Sequence, residues 1–371
     1  MKEKIFFVAS YADSLINFRL QLMQEFLAKG YEVVALAPYD KVVKQSLENL
    51  NIRFIAIPLQ RNGTNPINDI KLFFTLKKLF QTEKPNIVFA YTIKPVVYAS
   101  LAAHSAGISQ IYSLMTGTGY AFLNHSVKSK LIGLIARKLL KAALNKNTKI
   151  FFQNPDNLTF FIKENLIDTN QPVAVVNGSG VDCTFFYPAP HPEHLSFLMI
   201  ARLLYYKGVR EYVNAAQRLK IHYPDVRFCL VGWLDTNPES INQSELDDWI
   251  KNGDIEYLGK LSDVRNSIAD ASVYVLPSWN EGMPRTVLEA MAMARPIITT
   301  DTPGCKETVI PHHNGLLVPG KDVEALYKAM EYFILSPEKV SAMGAASRNI
   351  AQEKYDVNKV NNNMLVEMQI N

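Results

Sequence analysis

The chain has 371 residues, which exceeds the usual size of one hydrophobic core and predicts two domains. Its 48% hydrophobic and 20% charged residues exclude a disordered protein, and no run is apolar enough to span a bilayer. The net charge of +4 conceals an asymmetry, because residues 1–186 carry 21 Lys and Arg against 12 Asp and Glu while the remainder is acidic. We therefore expect the basic half to meet an anionic partner.

Three scattered cysteines neither pair up nor show the spacing of metal ligands, which indicates a reducing, cytoplasmic location. The first ten residues lack the long apolar core of a signal peptide, and their pattern indicates a first strand.

The first half alternates short apolar runs with helical patterns. Helices are indicated at 17–29, 69–81 and 129–144, among others. This alternation predicts crossover connections and a parallel sheet. The predicted strands are 5–9, 33–35, 53–57, 87–90, 111–114, 150–152 and 173–176.

A break follows, with two glycines in residues 177–182 and three prolines in residues 187–192. Such a stretch is typical of a linker. The pattern of strands and helices then restarts, which predicts two doubly wound α/β domains at 1–186 and 187–371. We expect the last helical stretch, 337–370, to cross back to the first domain. The predicted strands of the second domain are 196–200, 227–231, 255–258, 273–276 and 296–299.

Two glutamates follow the predicted strand 273–276. Glu281 lies on the loop after that strand, and Glu289 lies in a helix that Pro284 is expected to open, since proline suits the first helical turn. Ligands bind at the carboxyl ends of strands in such sheets, and a helix N-terminus favours an anion such as a diphosphate. A nearby carboxylate can accept hydrogen bonds from sugar hydroxyls. The pattern therefore predicts a nucleotide-sugar site.

Arg202 and Lys207 follow the opening strand of the second domain, just before a predicted helix. Two cations and a helix N-terminus can neutralise a diphosphate without a metal ion. Taken alone, the pair could equally be ordinary surface cations. No Asp-x-Asp metal motif is present, because Asp254 and Glu256, which have that spacing, enter a predicted strand. We therefore expect no metal cofactor.

Together, Arg202, Lys207 and the two glutamates resemble the motifs of the retaining glycosyltransferases of family 4, which have the GT-B fold. The resemblance covers roughly residues 177–320 and extends to the first half mainly in layout. It implies two Rossmann-like domains that face a central cleft, with the acceptor bound by the first domain and the donor by the second. Further matching segments are 177–182, 230–232, 257–259, 294–297, 303–307 and 314–319.

The resemblance also implies a role for each donor-site residue. It implies catalytic roles for three residues. Arg202 and Lys207 would hold the donor diphosphate, and Glu281 would lie beside the donor sugar. The residues implied to bind the rest of the donor are Gly282, Met283 and Pro284 of the turn, Glu289 at the ribose and Leu258 at the nucleobase. The donor is expected to be a UDP-sugar.

The acceptor is assigned to loops of the first domain, through Arg19, Arg61, Lys94, Thr116 and Gly117. Each cation, judged alone, resembles an ordinary surface residue. The segment that holds Thr116 and Gly117 departs from relatives with a histidine at this point. It resembles transferases that build bacterial surface polysaccharides on lipid diphosphate carriers. The segment 235–238 resembles enzymes that add N-acetylgalactosamine to lipid-linked oligosaccharides, so we expect a polyprenyl-diphosphate-linked saccharide as acceptor.

Residues 128–146 form a basic, amphipathic pattern inside a stretch without acids, from 84 to 155, that holds nine Lys or Arg residues. Such a helix can lie on an anionic membrane. A core helix with a solvated basic face explains the periodicity equally well. With a lipid-linked acceptor, the pattern predicts a peripheral protein on the inner face of the cytoplasmic membrane.

Other function classes remain open at this point. A nucleotide-sugar epimerase of GT-B fold is one, although Glu281 has no convincing acid–base partner, and a catalytically silent sugar-nucleotide binding protein is another. A dehydrogenase is disfavoured because the turn after Ala9 lacks Gly-x-Gly-x-x-Gly. Basic and aromatic residues are not interleaved on a recognisable nucleic-acid-binding module, so no nucleic-acid partner is expected.

Overall fold

The computed structural model describes residues 2–60, 65–117, 127–235, 237 and 239–370, with the backbone alone at 127–132. Contacts divide the chain into two compact units, one of residues 1–179 with 361–371 and one of residues 180–360.

The first unit holds a seven-stranded parallel sheet in the order β3-β2-β1-β4-β5-β6-β7. Its strands are β1 (Lys4–Val8), β2 (Glu32–Ala37), β3 (Arg53–Ala56), β4 (Ile87–Tyr91), β5 (Gln110–Met115), β6 (Lys149–Phe152) and β7 (Val173–Val175). Its helices are α1 (Asp13–Ala28), α2 (Lys41–Glu48), α3 (Pro66–Glu83), α4 (Ile93–Ser105), α5 (Val127–Leu144) and α6 (Pro155–Lys163).

Both faces of this sheet are covered. In strand β1, Phe7 packs into the hydrophobic core on one face and Phe6 packs into the core on the other. Side chains alternate between the faces of a strand, so a strand buried on both faces is apolar throughout. Helices α3, α4, α5 and α6 cover the face of Phe6, while α1, α2 and the C-terminal Met364 and Leu365 cover the face of Phe7.

The second unit holds a six-stranded parallel sheet in the order β10-β9-β8-β11-β12-β13. Its strands are β8 (Ser196–Ile200), β9 (Arg227–Val231), β10 (Glu256–Gly259), β11 (Val273–Leu276), β12 (Ile297–Thr300) and β13 (Gly315–Val318). Its helices are α7 (Val209–His222), α8 (Gln243–Lys251), α9 (Arg265–Ala269), α10 (Arg285–Ala292), α11 (Val323–Leu335) and α12 (Glu338–Ile350), and α13 (Val357–Glu367) continues into the first unit.

These two doubly wound sheets confirm the predicted fold class. Strand β13 was missed, because a four-residue segment that begins with glycine carries little strand signal. The last helical stretch is three segments rather than one, since a π-helical turn at Ala351–Tyr355 separates α12 from α13.

The division by contacts falls seven residues before the predicted boundary at 186/187. The reason is that Val181, Cys183 and Phe186 pack into the core of the second unit.

The proline-rich segment of the second unit is tied to the core by Arg295, whose side chain is fully buried. Its guanidinium donates to the carbonyl of Pro190 at 2.9 Å and to the carbonyls of Ile268 and Ala269, and it contacts Nδ1 of His191 at 2.7 Å. Burial lowers the pKa of Arg295 to about 10, and burial next to this cation lowers the pKa of His191 to about 4. Arg295 therefore has a structural role.

None of the described helices has the length and apolar character needed to cross a bilayer. All three cysteines are buried and free.

We predict that Gly315→Ala lowers the free energy of unfolding by about 1–3 kcal/mol, the usual cost of overpacking. A Cβ at this position would lie 1.9 Å from the Ile297 carbonyl oxygen, so β12 and β13 would have to separate. Denaturant unfolding measures the change. Gly320→Ala is the matched control, because its Cβ would meet only a side-chain methyl group of Thr302 at 3.3 Å. Equal stabilities of the two variants would contradict the prediction.

Candidate active site

The carboxyl edge of the second sheet brings together the loops that follow β8, β9, β10 and β11. Backbone hydrogen bonds join neighbouring loops, since Leu203 N donates to Trp233 O at 3.1 Å and Gly232 N donates to Gly259 O at 2.9 Å. Trp279 N donates to Tyr206 O at 2.8 Å. The residues predicted to bind the donor therefore lie on one interlocked edge.

Two glycines permit this packing. A Cβ on Gly208, which precedes α7 with φ of +76°, would lie 2.1 Å from the Pro277 carbonyl oxygen. One on Gly304, with φ of +83°, would lie 2.4 Å from the Glu281 carbonyl oxygen. Both positions combine a positive φ with a close backbone approach, and only glycine tolerates that combination readily. The loops that carry Lys207 and Glu281 are therefore held at fixed positions.

Arg202 is held by two side chains. Its Nη1 donates to Oδ2 of Asp235 at 2.9 Å, and its Nη2 donates to the Tyr206 hydroxyl at 3.2 Å. Asp235 follows β9, whereas Arg202 and Tyr206 follow β8. The contacts orient the guanidinium at the strand end.

Lys207 and Glu281 form an ion pair, in which the ammonium group donates to Oε1 of the carboxylate. Both side chains are largely buried, at 16% and 13% exposure. Glu281 is further fixed by its backbone N–H, which donates to Pro303 O at 2.9 Å. The structure thus joins the two residues that the sequence placed on separate loops, 74 positions apart.

Glu289 lies in α10 and is buried. Pro284 is the residue that precedes this helix, one position earlier than predicted for a first-turn proline. Oε1 of Glu289 accepts a hydrogen bond from Nε of Arg285 at 2.9 Å. Burial raises the pKa of the Glu289 carboxyl above its ordinary value, and the Arg285 guanidinium offsets part of that rise. Burying a carboxylate with few hydrogen-bond partners costs folding free energy, so the burial of Glu289 points to a functional role.

The remaining donor-site residues lie on the same edge. Gly282 and Met283 form the turn before α10, and Met283 is buried. Leu258 lies near the end of β10 and is 40% exposed. The Lys260 ammonium lies 5.0 Å from the ring centroid of Trp233, so an aromatic ring and a cation adjoin the position predicted for the nucleobase.

Sequence reasoning missed three contributors, namely Asp235, Tyr206 and Arg285. The Arg285–Glu289 pair could have been found from its four-residue spacing on a predicted helix. The Arg202–Asp235 pair had no such signal in the sequence, because the contact depends on how two separate loops meet.

No cluster of three or more His, Cys, Asp or Glu side chains suited to a metal ion occurs in the part of the chain that the structure describes.

Among the described residues predicted to bind the acceptor, Arg19 lies in α1, Lys94 lies in α4, and Thr116 and Gly117 follow β5. Arg19 is buried in α1, with its guanidinium carbon 5.2 Å from the ring centroid of Tyr91. Nζ of Lys94 contacts Oδ1 of Asp69 at 2.7 Å and donates to Gln60 O at 3.1 Å. Both cations therefore have partners within the first unit.

Thr116 and Gly117 follow β5, and both are partly exposed. The fifth predicted acceptor residue, Arg61, lies outside the described residues. The acceptor-binding role of all five residues stays a prediction.

Sequence comparisons match a glycosyltransferase family to each half of the chain. The family described as "Glycosyl transferase 4-like" matches residues 4–154, and the family described as "Glycosyl transferases group 1" matches residues 194–335.

Several curated relatives resemble the chain along most of its length. One is the N,N'-diacetylbacillosaminyl-diphospho-undecaprenol alpha-1,3-N-acetylgalactosaminyltransferase of Campylobacter jejuni, 28% identical over 96% of this chain and 95% of the relative. Another is the UDP-Gal:alpha-D-GlcNAc-diphosphoundecaprenol alpha-1,3-galactosyltransferase of Escherichia coli, 26% identical over 76% of this chain and 74% of the relative.

Among solved structures, the Anabaena protein HepE in complex with UDP and glucose superimposes with a TM-score of 0.77 at 17% identity, and the match covers 99% of both chains. At that identity the likeness supports the fold alone. With two doubly wound units, and family matches in both halves, the chain belongs to the family 4 glycosyltransferases with the GT-B fold.

Proposed function

We propose that this glycosyltransferase moves a sugar, an N-acetylhexosamine, from a UDP-sugar to a hydroxyl of a polyprenyl-diphosphate-linked saccharide, with retention of configuration. The product would enter a bacterial capsule, O-antigen or related glycan. The arrangement at the carboxyl edge of the second sheet carries the proposal. Arg202, Lys207 and Glu281 lie there on adjoining loops, and Glu289 lies in the helix that follows.

Charge supports a diphosphate at this edge. Each of the two cations already has a carboxylate partner, Asp235 for Arg202 and Glu281 for Lys207. The partners orient the cations, and a diphosphate would add negative charge that both cations can share. Preorganised charge of this kind stabilises a leaving group more than flexible surface cations do.

The chemistry follows from the same residues. The bond between the anomeric carbon and the diphosphate oxygen breaks, and its electron pair stays on the diphosphate beside Arg202 and Lys207. The acceptor oxygen attacks the same face of the sugar and gives its proton to the departing phosphate oxygen. Glu281 would contact the sugar at the reacting centre, and Glu289 would accept hydrogen bonds from the ribose hydroxyls.

The rest of the donor would follow the same edge. Gly282, Met283 and Pro284 would present the turn to the sugar and phosphate, and the backbone at Leu258 would contact the nucleobase.

The names of the relatives support the substrates. The Campylobacter and Escherichia proteins act, by name, on saccharides linked to undecaprenyl diphosphate, and the second uses UDP-galactose. An acceptor of this kind resides in a membrane, so we propose that the protein works at the inner face of the cytoplasmic membrane. The net positive charge of residues 1–186 suits an anionic surface there.

We predict that Arg202→Ala and Lys207→Ala each reduce turnover by about 10²–10³-fold, the range for loss of one preorganised charge at a reacting centre. Transfer of labelled sugar from a set of UDP-sugars to a polyprenyl-diphosphate-linked acceptor measures the rate. Arg218→Ala is the matched control, because this arginine of α7 forms an exposed pair with Glu324, and its loss should leave the rate unchanged. Near-normal rates in both site variants would refute the assignment.

We predict that Glu289→Gln weakens UDP binding about tenfold, since a charge-assisted hydrogen bond becomes a neutral one. The same variant should be more stable than the wild type at neutral pH. The folded state raises the pKa of Glu289 through burial, so the ionised carboxyl destabilises the protein once the pH exceeds the ordinary glutamate value. Calorimetric binding and melting temperatures from pH 4 to neutrality test both effects.

Glu256→Gln is the control with the opposite sign. Hydrogen bonds from Arg227 lower the pKa of Glu256. Its carboxylate therefore stabilises the protein above the ordinary glutamate value, and this contribution disappears as the pH falls through the lowered pKa. Glu256→Gln should lose stability at neutral pH and keep its affinity for UDP. A Glu289→Gln protein that is less stable at neutral pH, or binds UDP normally, would contradict the assignment of a buried donor ligand.

We also predict that EDTA leaves transfer unchanged, because Arg202 and Lys207 are proposed to take the place of a metal ion against the diphosphate. The rate is measured after extensive treatment with EDTA, and again after Mg²⁺ or Mn²⁺ is restored. A large loss that either metal reverses would contradict this prediction.

A further inference from the structure

The outward face of α3 carries large apolar side chains that nothing in the described structure covers. Ile67, Ile70 and Phe74 are 73%, 58% and 60% exposed. Their spacing places them along one side of the helix, opposite Leu72, Leu76 and Phe80, which are buried in the core. A soluble helix normally keeps its large apolar residues on the buried side alone.

Basic residues lie among these apolar side chains. Lys71 and Lys78 are exposed on the same side of α3, and neither forms an ion pair with a described residue. We use the name α3 stripe for Ile67, Ile70, Lys71, Phe74 and Lys78.

The acidic residues of α3 do not neutralise Lys71 or Lys78, because each of them is paired with another cation. Asp69 is paired with Lys94 at 2.7 Å. Glu83, at the far end of the helix, is paired with Lys4 at 2.8 Å and Arg53 at 2.7 Å. The stripe therefore combines apolar bulk with unopposed positive charge.

The surface next to the helix is part polar and part apolar. A cavity of about 270 Å³ opens beside the first turns of α3 and shares Lys71 with the stripe. Its other walls include Pro38 and Pro58, which follow β2 and β3, and Tyr39, whose side chain is 67% exposed.

The described side chains of the predicted membrane helix α5, at residues 133–144, leave less positive charge unpaired. It exposes Leu134 and Ile135, and its Lys138 is also exposed. However, Arg137 is paired with Glu164, and Lys141 contacts Asn165 at 2.7 Å and Asp168 at 3.5 Å. Two of the cations of α5 are thus paired with acidic residues of the first unit.

We propose that the α3 stripe is a docking surface for an anionic lipid bilayer. Apolar side chains among lysines match the interfacial region, where the rings and alkyl groups enter the acyl boundary and the ammonium groups meet lipid phosphates. The proposal rests on the proposed function for the location of the acceptor in a membrane, and it assigns the contact to α3 rather than to residues 128–146.

Vesicle flotation with the whole protein tests this surface. Wild type should float with phosphatidylcholine vesicles that contain phosphatidylglycerol and much less with phosphatidylcholine alone. Ile70→Glu/Phe74→Glu should reduce partitioning by about tenfold or more, since two apolar anchors become anions. Lys71→Gln/Lys78→Gln should remove the preference for anionic lipid. Circular dichroism and melting temperatures check that each variant folds.

Two comparisons make the test specific. Ile221→Glu/Leu335→Glu changes apolar residues of the second unit that are at least as exposed, at 75% and 66%, and should float like the wild type. Leu134→Glu/Ile135→Glu, in α5, should reduce flotation less than Ile70→Glu/Phe74→Glu, in α3. The proposal is overturned if the wild type does not float, if the α3 variants float normally, or if the α5 variant alone loses binding.

Enzyme assays separate this proposal from the proposed function. The α3 variants should bind UDP and glycosylate a detergent-dispersed acceptor at the wild-type rate, and fail only with acceptor in vesicles. A wild type that floats but transfers no sugar would contradict the function and leave the docking surface intact. A dimer in solution that Ile70→Glu/Phe74→Glu dissociates, without vesicle binding, would identify a second copy of the chain as the partner and overturn the lipid proposal.

Discussion

Close backbone packing at the carboxyl edge of the second sheet is the constraint on which the candidate site depends. Gly208 and Gly304 bring their loops so close to the carbonyls of Pro277 and Glu281 that a Cβ at either glycine would overlap the carbonyl oxygen. At this edge the ammonium group of Lys207 donates to the carboxylate of Glu281. A charge arrangement built on rigid loops needs little reorganisation when charge develops in a reaction.

The strands of the second unit show what sequence patterns can and cannot predict. Ser196–Ile200, Arg227–Val231 and Val273–Leu276 were predicted with the bounds that the structure has, because each is a short apolar run between polar or turn-forming residues. Gly315–Val318 was missed because its stability comes from its pairing with β12. A segment that owes its conformation to a neighbouring strand cannot be recognised from its own residues.

The candidate site was predictable to a similar degree. Strand ends, helix starts and charged residues indicated Arg202, Lys207 and Glu281, because parallel strands share a carboxyl edge. The partners of these residues were not predictable, since Asp235 reaches Arg202 from another loop. In the first unit, no sequence pattern indicated that Arg19 of α1 is buried, with its guanidinium close to the ring of Tyr91.

Charge along the sequence and charge on the surface differ for a physical reason. The longest stretch without acids pointed to α5, yet Arg137 there is paired with Glu164, which follows much later in the chain. Helix α3 contains Asp69, but Lys94 pairs with that acid. Only the ion pairs of the folded chain show where positive charge remains unopposed, and at α3 it remains beside exposed apolar side chains. A surface with both properties satisfies the two requirements of interfacial binding, whereas charge alone satisfies one.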